Sequence, residues 1–85
     1  MSEKAGIKAR VKTIVEKARH GPYATAKAKG IRGSITFSLA PKVWKGEKPP
    51  SPGSWVILAN IERMARGWRA NFGRPWKPSD EQDLK

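Results

Sequence analysis

The chain has 85 residues, which is room for one small domain and one core. Eighteen Lys and Arg against seven Asp and Glu give a formal net charge of +11, a surplus that repels itself and points to a polyanionic partner. The absence of cysteine excludes disulfide scaffolds, zinc fingers built on Cys pairs and thiol nucleophiles.

Residues 1–6 read as a flexible N-terminus, charged from Glu3 and Lys4 onward, with no apolar core of a signal peptide. Between Ile7 and Arg19 two periods compete. Apolar residues at 7, 11, 14, 15 and 18 have helical spacing, while Ile7, Ala9, Val11, Thr13 and Val15 alternate with Lys8, Arg10 and Lys12 as in a strand with a basic outer face. Lys, Arg, Ala and Glu favour helix by intrinsic propensity. The strand reading is preferred for residues 8–17, for a reason that comes from the layout of the whole chain.

His20-Gly21-Pro22 is a turn, Tyr23 to Ala26 a short strand, and Lys27 to Gly33 an exposed loop. Ser34 to Leu39 is a strand, with Ile35, Phe37 and Leu39 alternating with Ser34, Thr36 and Ser38. Residues 40–53 hold Pro41, Pro49, Pro50 and Pro52 and form a long irregular loop, in which Val43 and Trp44 can pack down as one turn. Ser54 to Arg63 is a strand, apolar on both faces from Trp55 to Leu58, so alternation leaves its inward face open. This apolar run is far too short to span a bilayer. Met64 to Gly67 is a basic turn and Trp68 to Arg74 the last strand, ended by Pro75 and Pro78. Residues 79–85 read as an acidic, disordered tail. The expected interior set is Ile7, Val11, Val15, Ile35, Leu39, Val56, Leu58, Ala70 and Phe72.

Strand, turn, strand, loop, strand, long loop, strand, basic turn, strand is a layout that resembles the cold-shock-type oligonucleotide-binding barrel, the OB-fold. Gly21-Pro22-Tyr23-Ala24-Thr25 stands where that family has its first aromatic motif, and Ser34-Ile35-Thr36-Phe37-Ser38 where it has its second. Pro52-Gly53-Ser54-Trp55-Val56-Ile57-Leu58 resembles the family's turn into the fourth strand, and Gly67-Trp68-Arg69-Ala70-Asn71-Phe72 its closing strand. The first motif keeps one aromatic, Tyr23. In the second, Ser34 and Thr36 stand where an aromatic and a histidine are common. The resemblance covers residues 8–76 and implies an all-β fold, a small five-stranded OB-type barrel over residues 7–78 with the Pro-rich loop between its third and fourth strands. It requires residues 8–17 to be the first strand.

For catalysis the chain offers little. His20 is the one histidine, beside a turn, and the carboxylates Glu3, Glu16, Glu47, Glu62, Asp80, Glu81 and Asp83 have no spacing suited to a metal or an acid–base pair. No enzyme, metal or cofactor is expected. Binding chemistry is better supplied, because unpaired bases are held by stacking on aromatic faces within a positive surface. Trp44 lies between Lys42 and Lys45, Trp68 between Arg66 and Arg69, Trp76 between Arg74 and Lys77, and Tyr23 between Arg19 and Lys27. The candidate binding set is Lys8, Arg10, Lys12, Arg19, Tyr23, Lys27, Arg32, Phe37, Trp44, Lys45, Arg66, Trp68, Arg69, Arg74 and Trp76. Packing is the rival role for the aromatics: Trp55 and Trp68 at the core or barrel mouth, Trp44 as a cap on the open end, Phe37 and Tyr23 at the core edge.

The expectation is a monomeric, soluble, cytoplasmic protein that binds nucleic acid, RNA before single-stranded DNA, by itself or on a ribonucleoprotein, and has no membrane partner. Two alternatives stay open. One is a protein-interaction or inhibitor module, a small basic barrel of KOW or Sm type docking an acidic partner. The other is a duplex-DNA binder with an N-terminal helix over residues 3–19. Residues 1–78 carry 17 of the basic and 4 of the acidic side chains, or +13, so the charge is concentrated outside the tail.

Overall fold

The computed structural model describes residues 6–19 and 21–77. Five strands follow in chain order: β1 (Ile7–Val15), β2 (Tyr23–Ala28), β3 (Ile35–Ser38), β4 (Trp55–Arg63) and β5 (Trp68–Pro75). They close into a barrel in the order β1-β2-β3-β5-β4, with β4 returning to β1. The β3–β5 pairing is parallel and the others are antiparallel. The fold is all-β, and none of the described residues is helical. Closure leaves no open sheet edge. The N-terminal stretch is strand from Ile7, so a helix over the described part of 3–19 is excluded. Cross-strand partners outweigh helix propensity here, since β1 is paired on both sides. The acidic tail at 79–85, the residues before Gly6 and His20 lie outside the described residues.

The core holds large side chains from Ile35, Phe37, Trp44, Val56 and Leu58 against small ones from Ala9, Ala24, Ala26 and Ala70. A barrel of so few strands is narrow, and mixing large and small residues lets it fill without strain. Within it Phe37 and Trp44 meet with ring centroids 5.8 Å apart. Trp44 is brought there by a turn in which its N–H donates to the Ala40 carbonyl at 2.8 Å. The Gly73 N–H donates to the Val43 carbonyl at 2.9 Å, and the Lys45 N–H to the Gly73 carbonyl at 2.8 Å, pinning this turn to β5. Gly73 leaves room for the indole: a Cβ there would lie 3.2 Å from both Trp44 Cε3 and Leu58 Cδ2.

Two irregularities change which side chains face inward. In β1 the register against β2 shifts between Val11 and Thr13, leaving Lys12 as the extra residue of a bulge. Beyond it Ile14 packs on the core, whereas Thr13 turns outward and shares a 2.6 Å hydrogen bond with the Thr25 hydroxyl. Val15, expected inside, shares Tyr23's outward row and stands outside the core cluster. In β4 Asn60 adopts a left-handed backbone with φ 55°, which Asn tolerates better than most residues. Opposite it, Asn71 donates from Nδ2 to the Asn60 carbonyl at 3.1 Å and to Glu62 Oε2 at 2.8 Å. Both strands change phase at this point. Leu58 and Gly73 face inward as a pair, then Ile61 and Ala70 do so. Phe72, expected in the core, is therefore a half-buried residue of the outer face, opposite Ala59.

Strand limits differ modestly from those expected. β2 runs on through Ala28, so Lys27 belongs to a strand and not to the following loop, because it pairs with Arg10 across β1. Val56 and Leu58 point into the barrel, which settles the face that alternation left open. Ile57 is buried on the other side, between Lys8 and Arg74 as cross-strand neighbours and under the Gly6 backbone.

Candidate nucleic-acid interface

The outer surface carries three concentrations of cations. The first is a cleft of about 590 Å³ over β2, β3 and β5, closed at one end by the β1–β2 turn. Tyr23 on β2 forms an aromatic wall, with Arg19 from the turn, Lys42 from the segment after β3 and Arg69 from β5 around it. Thr36, Ser38 and Asn71 add polar groups, and none of the described lining residues is acidic. Local pairing explains the assembly. Tyr23 lies opposite Val15 and Ser38, and Thr36 opposite Arg69 in the parallel β3–β5 pair. Outward residues of three strands are thus brought into neighbouring rows.

The second concentration is the outer face of β1, β4 and the end of β5. Trp55 is the most exposed large apolar side chain among the described residues, at 42%. Lys8 Nζ lies 4.6 Å from the Trp55 ring centroid and 4.3 Å from that of Trp76, and the Arg10 guanidinium lies 5.6 Å from Trp55. Trp76 is placed beside Trp55 by its N–H, which donates to the Trp55 carbonyl at 3.2 Å. Arg10 lies opposite Trp55 on one side and Lys27 on the other, and Arg74 lies beyond Ile57 from Lys8.

The third is a rim formed by the loops before β3 and β5, where Lys29, Arg32, Arg63 and Arg66 are exposed. The two loops touch. The Trp68 N–H donates to the Ser34 carbonyl at 3.0 Å, and the Trp68 indole N–H donates to the Arg32 carbonyl at 2.8 Å. Gly67, at φ 78°, approaches so closely that a Cβ would stand 2.8 Å from the Ser34 carbonyl oxygen.

Of the sequence-based candidates, Arg19, Tyr23 and Arg69 come together in the cleft, and Lys8, Arg10, Lys27, Arg74 and Trp76 on the outer face. Arg32 and Arg66 fall on the rim. Lys12 is exposed at the β1 bulge, and Lys45 is exposed with its ammonium donating to the Pro41 carbonyl at 3.0 Å. Two candidates are corrected. Phe37 is fully buried and Trp44 nearly so, with its indole N–H spent on the Lys48 carbonyl at 2.8 Å, so neither offers a face for stacking. Inward alternation on β3 and the tight turn at 40–44 put them in the core. Trp68 packs on the core with the Arg63 guanidinium 5.7 Å from its ring, which makes it a plug at the barrel end more than an open platform. The apolar neighbours of Trp55 predict packing, yet it is exposed. Its opposite-facing pair Val56 and Leu58 are what turn it outward, and the Arg10–Trp55 register is the signal that sequence lacks.

The chain matches no protein-family model, no curated protein and no solved structure. No helix among the described residues is long and apolar enough to cross a membrane.

Proposed function

We propose that this barrel is a non-enzymatic, cytoplasmic binder of single-stranded nucleic acid, RNA before DNA, which holds it in the cleft between β2, β3 and β5. The observation that carries this reading is an aromatic wall, Tyr23, set among Arg19, Lys42 and Arg69 in one concave site. Each part has a matching role. A base stacks on Tyr23, a contact worth about 1–3 kcal/mol and indifferent to base identity. Arg19 and Arg69 take phosphate oxygens in a bidentate way and can also stack, while Lys42 supplies a point charge. Thr36 and Ser38 offer hydroxyls to base edges or to a ribose hydroxyl, and Asn71, whose amide nitrogen is held by the Asn60 carbonyl and Glu62, offers its amide oxygen. A small five-stranded barrel that presents its second and third strands to an oligonucleotide is the OB-type arrangement, and the resemblance of strand layout to cold-shock-type barrels supports the same face.

The net charge of +11 adds counterion release, a driving force that needs no sequence match. A filter-binding titration of single-stranded RNA checks the reading. Binding is expected at micromolar affinity or tighter, weakening steeply with added salt. Binding that is absent, or independent of salt, refutes it.

A further inference from the structure

The outer face built on Trp55 shares no residue with the cleft. We propose that it is a second contact surface for single-stranded nucleic acid, with a base stacking on Trp55 and phosphates on Lys8, Arg10 and Lys27. This rests on the reading of the protein as a nucleic-acid binder.

Three observations support it. First, an indole that is 42% exposed is paired with two cations, at 4.6 Å and 5.6 Å from its centroid. Cations near a ring fix its orientation without removing it from solvent. A stacking group already held in position loses less freedom when a base arrives. Second, like charges oppose each other across the sheet: Arg10 and Lys27 are direct cross-strand partners. Such pairs destabilise a sheet on their own, and a bound anion converts the repulsion into attraction. Third, the cations of this face come from β1, β2 and β5, all turned to one side by register. Lys27, Arg10 and Trp55 stand in one cross-strand row. A row of cations beside an exposed aromatic is the chemistry of a strand whose backbone is neutralised while its bases stack.

The four tryptophans provide the test. Trp44 and Trp68 have indole N–H groups bonded to the Lys48 and Arg32 carbonyls, so their NMR signals serve as internal references. Titration of the full chain with single-stranded oligo-U is expected to move the Trp55 indole signal together with amides of the cleft. Trp55→Ala is expected to weaken binding by about 5- to 150-fold, and Trp55→Phe to restore most of it. Lys8→Gln with Arg10→Gln is expected to flatten the salt dependence by about 1.4 in log–log slope. Thermal melts of each variant separate lost binding from lost fold; Trp55 is exposed, so its melting temperature should hold. If oligo-U moves the cleft amides while the Trp55 signal and the Trp55→Ala affinity stay unchanged, this inference falls and the cleft reading stands. If an acidic peptide such as oligo-glutamate moves the Trp55 signal and oligo-U does not, the face is a protein contact and the inference falls. If oligo-U moves nothing, both the inference and the proposed function fail.

Discussion

Tyr23 and Phe37 are alike as sequence candidates, and the barrel separates them sharply. Phe37 is fully buried against Trp44, whereas Tyr23 is half-buried in the wall of the cleft. Phe37→Ala removes a ring from a filled core and should cost about 3–5 kcal/mol. A domain of 85 residues holds roughly 4–13 kcal/mol in total. The variant therefore loses a large share of its stability, and its melting temperature should fall by more than about 12 °C. Tyr23→Ala loses cross-strand contacts with Val15 and Ser38, each worth about 1 kcal/mol or less. It also loses the stacking face, which lowers affinity for single-stranded RNA by roughly 5- to 150-fold. Urea unfolding and filter binding on the same preparations measure the two effects. The gentler variant Phe37→Leu keeps the volume approximately and should bind RNA normally. If Phe37→Leu loses RNA binding as Tyr23→Ala does while remaining folded, the assignment of Phe37 to the core alone is wrong. If Tyr23→Ala is fully folded and binds as the unaltered chain does, the cleft is not where bases stack.

Neutralising Arg19, Lys42 and Arg69 together as glutamines should reduce the log–log salt slope by about 2, so that the roughly 16-fold loss they contribute between about 50 and 200 mM salt disappears. Gly73→Val should destabilise by about 1–3 kcal/mol, because even a Cβ there stands 3.2 Å from Trp44 and Leu58; a denaturation curve with an unchanged midpoint would show the core to be looser than this contact implies. Asn60→Val should cost about 1–2 kcal/mol and Asn60→Gly much less, since the position has φ 55°; equal midpoints for the two would deny that the left-handed turn is needed. Gly67→Ala combines a strained backbone with a 2.8 Å approach to the Ser34 carbonyl oxygen and should lower stability more than Gly30→Ala, whose added Cβ meets open space.

Much of the barrel is legible along the chain, and the parts that are not have a common cause. Alternation at 34–39 and 68–74 located β3 and β5, and glycine and proline marked the breaks between strands. Alternation is a local rule that carries its phase forward from wherever it starts. One bulge at Lys12 and one left-handed residue at Asn60 reset that phase. Val15 and Phe72 lie just past such points, and both face away from the interior that alternation predicts for them. Asn60 and Asn71 are common residues in turns, and nothing in their own positions says that they face each other across a ladder.

The candidate site divides in the same way. Basic residues interleaved with aromatics were visible at once, because charge and residue type are properties of single positions. Their grouping was not, since Arg19, Lys42 and Arg69 are far apart in the chain and meet only when β3 pairs in parallel with β5. The sequence alone determined a strongly cationic small domain with strands at 34–39, 54–63 and 68–74 and stacking-capable side chains, for these follow from composition and from period-2 patterning; between the two periods at 7–19 it was the pairing of β1 with β2 and β4 that decided. The tertiary structure decided which aromatics are spent on the core and which remain outside. That choice depends on register between strands distant in sequence: the ladder that seats Phe37 inside is the one that leaves Tyr23 out, and the β1–β4 ladder sets Trp55 beside Lys8 and Arg10.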